Sequence, residues 1–142
     1  MAGLVVNAAE AMENRKPLEP GEYHVVLTNS RVRDASGPDK FPMLVLELTV
    51  HEDEGAPYAG KKAFRNLSAS PTAVPFMVDA AIAFGADPEE VVQPSVDMEQ
   101  VFKELHGTEA WITTSVRKYR RSENEPEVDQ TNIDRILAQP SV

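Results

Sequence analysis

The sequence contains no cysteine and few aromatic residues. Without cysteine there is no disulfide framework, no thiolate nucleophile and no cysteine-ligated zinc finger, so a reducing compartment suits the chain. Aromatic residues make up only 6% of the chain. A surface that binds oligosaccharides would need several exposed aromatic side chains on one face, and the low aromatic count argues against that function.

Long hydrophobic runs and familiar catalytic motifs are absent too. The early apolar stretch "GLVV" has no cationic segment before it and is far too short to span a bilayer, so we expect neither secretion nor membrane association. The sequence shows no glycine-rich phosphate loop, no GxSxG elbow and no HExxH helix. We therefore expect a nonenzymatic protein without a cofactor.

The three histidines, His24, His51 and His106, are scattered along the sequence without partners at metal-ligand spacing. We expect each to be structural or exposed. The stretch "HEDE", which begins at His51, is interpreted as a polar turn, and loose cation binding is the alternative. No metal site is predicted.

Length and composition predict a single domain. The 142 residues, 42% of them hydrophobic and 26% charged, suffice for one core. The breaker "PLEPG" separates a flexible or short-helical arm, residues 1–20, from the predicted domain at residues 21–137, and residues 138–142 form a short tail.

Alternating apolar and polar residues predict five strands. They lie at residues 22–33, 41–52, 61–68, 108–121 and 128–137. In the first strand, Tyr23, Val25 and Leu27 share one face. In the second, the residues from Leu44 to Val50 alternate in the same way, which makes it the clearest strand in the chain.

Between the third and fourth strands the period changes to that of a helix. Apolar residues from Val74 to Ile82 recur at three- and four-residue spacing, and Gly85 follows as a C-terminal cap. Two shorter helices follow, one capped by Asp87 and the other ending at Gly107. We predict a helical insert at about residues 71–107.

This element order predicts the fold class. Three strands, a helical insert and two strands form the order of an OB-fold, a five-stranded Greek-key barrel. A β-sandwich would need about seven strands, and a parallel sheet would need helices between successive strands. We expect a mainly β, OB-fold-like barrel.

Charge is distributed unevenly along the chain. The net charge is -9, but residues 71–110 hold eight acidic residues and one basic residue, so the strands are nearly neutral. Ten of the 14 basic residues fall in three clusters. They are Arg31, Arg33 and Lys40; Lys61, Lys62 and Arg65; and Arg117, Lys118, Arg120 and Arg121.

In an OB-fold these clusters adjoin the face that binds oligonucleotides. A phosphate backbone responds to the potential within roughly 10 Å, so an acidic protein can carry a basic groove. The predicted phosphate ligands are Arg31, Arg33, Lys61, Lys62, Arg65, Arg117, Lys118, Arg120 and Arg121. Tyr119 and Phe64 are the candidates for base stacking, although Phe64 fits the core equally well and a basic strand end also serves simply as a solvated edge.

Several stretches resemble a family of small bacteriophage proteins. They are "LEPGEYHVVL", "FPMLVLELTV", "YAGKKAFRNLS", "KELHGTEAWITTSVRKY" and "TNIDRIL". The family is a domain of unknown function whose members are described as single-stranded DNA-binding or replication and recombination accessory proteins. The resemblance implies an OB-fold with a helical segment after the third strand. The sequence departs from the family pattern in its long last loop, "SENEPE".

Together these features predict a sequence-tolerant single-stranded DNA-binding protein of phage replication or recombination, acting in the host bacterial cytoplasm. RNA is the alternative ligand, because contacts to the 2'-hydroxyl leave no trace in composition. Phage or host replication and recombination proteins are the expected partners, and exposed strand edges would allow homo-oligomers. The alternative function is a protein-binding module that docks a replication, nuclease or host-defence protein through the acidic insert.

Overall fold

The computed structural model describes residues 3–9, 17–34, 41–55, 57–120, 123–124 and 126–140. Five strands form one antiparallel sheet in the order β3-β2-β1-β4-β5. They are β1 (Gly21–Arg33), β2 (Met43–Val50), β3 (Lys62–Ser68), β4 (Glu109–Tyr119) and β5 (Val128–Leu137). Each lies where alternation in the sequence predicted it, which confirms the mainly β fold class.

The sheet is open. Strands β3 and β5 are its two edges, and no hydrogen-bonded ladder joins them in the part of the chain that the structure describes. A closed Greek-key barrel would require that ladder, so the predicted barrel closure is not confirmed. The Arg65 side chain bridges the two edges: its Nη1 donates to the carbonyl oxygen of Ile133 at 3.1 Å.

One face of the sheet forms the core. Tyr23, Val25 and Leu27 are buried, as their alternation predicted, and so are Leu44, Leu46, Leu48 and Val50. Leu18, which belongs to the predicted arm, also joins the core with 2% of its surface exposed, and its backbone N–H donates to Thr131 Oγ1 at 2.8 Å.

The predicted helical insert is present between β3 and β4 and covers the core face. It consists of α1 (Val74–Ala83), α2 (Pro88–Val91) and α3 (Met98–Glu104). Phe102 of α3 is completely buried among the apolar side chains of the sheet. None of the helices in the described residues is long and apolar enough to cross a membrane.

The ends of α1 and α2 follow the predicted caps, whereas α3 ends at Glu104 with Leu105 as its C-terminal cap, before the predicted Gly107. Asp87 Oδ1 accepts from the Glu89 backbone N–H at 2.9 Å at the start of α2. Gly85 follows α1 with a φ of 109°, a left-handed conformation that glycine adopts without the steric cost of a Cβ atom. A short 3-10 helix, Glu52–Glu54, links β2 to the turn before β3.

A β-bulge at Thr28 changes the face of the sheet on which the last side chains of β1 lie. Leu27 pairs with Leu48, whereas Asn29 pairs with Glu47, so one residue of β1 is unmatched. An extra residue reverses the side-chain alternation. Arg31 therefore lies on the outer face, defined here as the face of the sheet opposite the helices.

Candidate functional site

Phe64 is exposed on the outer face of the sheet. The register places Phe64 beside Glu47, which in turn pairs with Asn29. Some 56% of the Phe64 surface is exposed. Of the two roles considered from the sequence, core residue or exposed aromatic, the structure shows the exposed one.

Phe64 lines two shallow grooves, one on each side of its ring. The Arg31 groove, of about 280 Å³, lies across β1, β2 and β3; its walls are Asn29, Ser30, Arg31, Val45, Glu47 and Phe64. The Arg117 groove, of about 200 Å³, lies between the edges of β3 and β5; its walls are Phe64, Arg65, Asn66, Arg117, Gln130, Thr131, Asn132 and Ile133. An exposed aromatic ring thus separates two largely polar grooves, each with an arginine.

The Arg31 groove also contains a carboxylate. Glu47 accepts a hydrogen bond from Thr28 Oγ1 at 2.7 Å and lies 3.4 Å from Lys62 Nζ. The Thr28 hydrogen bond, assisted by Lys62, lowers the pKa of the Glu47 carboxyl below its ordinary value. Glu47 is therefore ionised at neutral pH and forms an ion pair with Lys62.

Other predicted phosphate ligands have different surroundings. Lys61 is 7% exposed, which leaves little of it accessible to a phosphate. Arg65 is engaged with Ile133, as described above. Lys118 is exposed and lies opposite Asp129 in the β4–β5 register, while Arg120 Nη2 lies 3.6 Å from Glu127 Oε1.

The remaining predicted residues divide into two groups. Arg31, Arg33 and Arg117 are exposed, and Arg33 lies opposite Met43 at the end of β1. The backbone of Tyr119 belongs to β4, but its side chain lies outside the described residues, as does all of Arg121. Base stacking on Tyr119 stays a prediction.

Sequence reasoning missed the amide side chains of the Arg117 groove. Asn66, Gln130 and Asn132 line it together with Arg117. They come from two strands that are distant in sequence and meet only because the edges of the sheet approach each other. The sequence carries no local signal for this meeting.

Two of the three histidines, His24 and His51, meet on the outer face, although no spacing in the sequence pairs them. Their rings stack with centroids 4.3 Å apart and planes 16° from parallel. Trp111 stacks on His24 at 4.5 Å and 7°. His106 lies elsewhere, bonded to Ser30 Oγ at 2.7 Å.

A carboxylate flanks each end of the histidine pair. Asp53 Oδ2 lies 2.7 Å from His24 Nδ1, and Asp53 Oδ1 lies 3.0 Å from His51 Nδ1. At the other end, Glu109 Oε1 lies 2.8 Å from His24 Nε2 and 3.3 Å from His51 Nε2. The hydrogen bond from His24 lowers the pKa of the Asp53 carboxyl below its ordinary value.

The positions of these residues along the predicted strands could have indicated this cluster. The register places His24 opposite Trp111, and the His51 backbone N–H donates to the carbonyl oxygen of His24 at 2.8 Å. Two histidines near the facing ends of consecutive antiparallel strands become neighbours once the register is known.

In comparisons with known proteins, no family model matches the chain and no curated protein matches it. The resemblance to the phage family therefore stays a prediction.

Proposed function

We propose that this protein binds single-stranded DNA with little sequence preference and has no enzymatic activity. In this proposal the strand crosses the outer face of β1, β2 and β3 and continues over the gap between β3 and β5. The observation that carries the proposal is the position of the exposed Phe64 ring between the Arg31 groove and the Arg117 groove.

This arrangement combines the two features that sequence-tolerant binding needs. A base stacked on an aromatic ring contributes about 1–3 kcal/mol, and any base can stack because every base has a π-face. Arginines on both sides of the ring are placed to contact the phosphates that precede and follow the stacked base. Arg33, exposed at the end of β1, extends the cationic track.

The amides of the Arg117 groove support tolerance of sequence. Asn66, Gln130 and Asn132 each carry both a donor and an acceptor, so they can bond to the edges of different bases. Duplex DNA keeps its bases stacked inside the helix and cannot place one on Phe64 without unpairing. We therefore expect a preference for single strands over duplex.

We further propose that the sheet is an OB-like barrel left open between β3 and β5. The linear strand order, with these two strands at the edges, and the bridge from Arg65 to Ile133 support this proposal. A barrel of this kind binds oligonucleotides on its second and third strands, which here carry Val45, Glu47 and Phe64 on the outer face.

The proposed setting is phage DNA replication or recombination in the host bacterial cytoplasm, with RNA as the alternative ligand. The edges β3 and β5 offer unpaired backbone groups through which copies of the chain could associate along a strand.

Fluorescence anisotropy of a labelled thymine strand of roughly 30 nucleotides tests the proposal, measured at about 50 and 200 mM salt with duplex as the control. For single strands the slope of log K against log salt changes by about 0.7 for each phosphate contact. The double variant Arg31→Ala, Arg117→Ala should therefore flatten the slope by about 1.4. Lys103→Ala, which removes an exposed cation from α3, is the matched control.

If the wild type does not bind at tens of micromolar, the proposed function is wrong. If it binds but the double variant keeps the wild-type slope, or Lys103→Ala changes the slope as much, the strand lies elsewhere on the molecule.

A second candidate function is docking of a protein partner on the helical insert. An apolar groove of about 770 Å³ lies between the insert and β2, and its walls include Val74, Val78, Val92 and Met98. Val92 is 66% exposed, and Asp97 belongs to the groove. Since residues 71–110 carry eight acidic residues and one basic residue, the matching partner is a segment with apolar side chains flanked by lysine or arginine.

This candidate makes a distinct prediction. A complex purified from nuclease-treated lysate should be lost with Val92→Asp and kept with Phe64→Ala. The opposite pattern would favour the outer face of the sheet and argue against the insert.

A further inference from the structure

The side chains of His24, His51, Asp53 and Glu109, called here the histidine cluster, include residues that could hold a metal ion. One ligand atom from each of His24, His51 and Glu109 can be chosen so that all three lie within 4.8 Å of one another. His24 lies in β1, His51 directly follows β2 and Glu109 begins β4, so the cross-strand register of the sheet holds the three residues together. The cluster is separate from the grooves beside Phe64, because no residue lines both.

We propose that His24, His51 and Glu109 form a binding site for a divalent transition-metal ion of the Zn²⁺ class. Two imidazole nitrogens and a carboxylate oxygen are a ligand set that Zn²⁺ takes in proteins, with a fourth position left for water or another ligand. This inference does not depend on DNA binding by the chain.

The distances between the candidate ligand atoms are close to those that such an ion requires. Bonds of 2.0–2.2 Å in a tetrahedron place ligand atoms about 3.3 Å apart. Glu109 Oε1 lies 2.8 Å from His24 Nε2 and 3.3 Å from His51 Nε2. The Glu109–His51 separation therefore matches that of a shared ion, whereas the Glu109–His24 separation is about 0.5 Å shorter and must widen when an ion binds.

His24 Nε2 supplies an independent observation. This nitrogen is buried, and it is the one buried side-chain polar atom without a hydrogen-bond partner in the described residues. Glu109 Oε1 approaches it closely but outside hydrogen-bond geometry. A buried polar atom without a partner costs free energy, and a metal ion at this position would satisfy it.

For His24, Asp53 is the outer partner that metal-binding histidines usually have, and its other carboxylate oxygen is within reach of His51 for the same role. Such histidines donate the N–H of the second ring nitrogen to a carboxylate, which fixes the ring and leaves the other nitrogen to bind metal. Asp53 lies within 3.0 Å of Nδ1 of both histidines, through Oδ2 for His24 and Oδ1 for His51. The neighbouring Glu54 Oε1 accepts from the His24 backbone N–H at 2.8 Å and ties the 3-10 helix to β1.

Metal binding would select one tautomer of His51. Its Nδ1 lies 3.0 Å from the Asp53 backbone nitrogen, which can donate to it, and that arrangement places the proton of a neutral ring on Nε2. When the proton is on Nδ1 instead, the ring donates to Asp53 Oδ1 and Nε2 is free to bind metal. The proton moves from Nε2 to Nδ1 through solvent, with no net change in charge on the ring.

The ring geometry makes Trp111 a reporter of binding. The two imidazoles are nearly parallel, so an ion bound in the plane of both rings requires them to tilt until the lone pairs of their Nε2 atoms converge. His24 is stacked on Trp111, the single tryptophan of the chain. Rotation of the His24 ring should therefore change tryptophan fluorescence.

The test is titration of the untagged, metal-stripped full chain with Zn²⁺, followed by calorimetry and by Trp111 fluorescence at constant pH. We expect saturable binding of one ion with a parallel fluorescence change. Asp53→Asn should weaken binding 10- to 100-fold, the usual effect of losing such an outer carboxylate. His24→Gln and His51→Gln should weaken it at least as much, and His106→Gln is the matched control.

Two results would overturn the inference: no saturable binding at tens of micromolar Zn²⁺, or affinity that His106→Gln lowers as much as His24→Gln does. Glu109→Gln is a ligand variant that we expect to fold, because the Glu109 side chain is 47% exposed and glutamine has the same shape. If this variant folds and binds Zn²⁺ as the wild type does, the assigned ligand set is wrong.

Discussion

Replacing Phe64 by alanine separates a binding role from a folding role, because the chain contains a matched control. Phe64 on β3 and Phe76 on α1 are 56% and 60% exposed, respectively. Both lose the same side chain when replaced by alanine. Only Phe64 lies between the two arginine grooves of the outer face.

The expected loss of affinity follows from base stacking. One stacked base contributes about 1–3 kcal/mol. At about 1.4 kcal/mol for each factor of ten, Phe64→Ala should raise the Kd for single-stranded DNA about 5- to 150-fold. Full burial of a phenylalanine stabilises a protein by about 1.5–3 kcal/mol, so a ring less than half covered should contribute only about 1 kcal/mol to folding.

Anisotropy with the labelled thymine strand measures the Kd, and urea unfolding of the same samples measures stability. We expect Phe64→Ala to bind weakly while remaining folded, and Phe76→Ala to bind as the wild type does. The stacking argument is refuted if Phe64→Ala keeps wild-type affinity, or if both variants lose affinity equally.

Three further predictions concern the fold. Phe102→Ala should lower the free energy of unfolding by about 3–5 kcal/mol, because Phe102 is completely buried. Urea unfolding measures this loss of stability, and a loss below about 1 kcal/mol would contradict the placement of Phe102 in the core. Arg65→Met removes the bridge to Ile133, so amide hydrogen exchange should become faster in β5 and stay unchanged in β1. If β5 is protected equally in wild type and variant, the bridge does not hold the two edges together. Because the folded pKa of Glu47 is lowered, its ionised form adds stability above the ordinary value of 4.5, and this stability is lost as pH falls through the folded pKa. Thermal unfolding between neutral pH and about pH 3 should therefore show a smaller acid-induced drop in Tm for Glu47→Gln than for wild type, and identical drops would rule out this contribution.

Much of the local structure was predictable from the sequence. Alternation placed the five strands within two residues of their observed ends, and the inward side of Tyr23, Val25 and Leu27 was correct. The caps at Gly85 and Asp87 were also correct. These features depend on side-chain periodicity and on hydrogen bonds between residues close in sequence, and both can be evaluated from the sequence alone.

The candidate sites depended on contacts between distant residues. The bulge at Thr28 placed Arg31 on the outer face, and no sequence pattern within β1 predicts this bulge. The exposure of Phe64 and the burial of Lys61 were decided by the surroundings of β3. The open edge between β3 and β5 likewise emerged only from the assembled sheet.

The histidine cluster shows the same division most clearly. The sequence determined that His24 and His51 stand near the ends of two consecutive strands, but not that Glu109 and Asp53 would flank them. Register and packing decide such neighbours, because they select one pairing among several that local propensity allows equally. The sequence by itself determined the elements and their order, and the tertiary structure decided which chemical groups face one another.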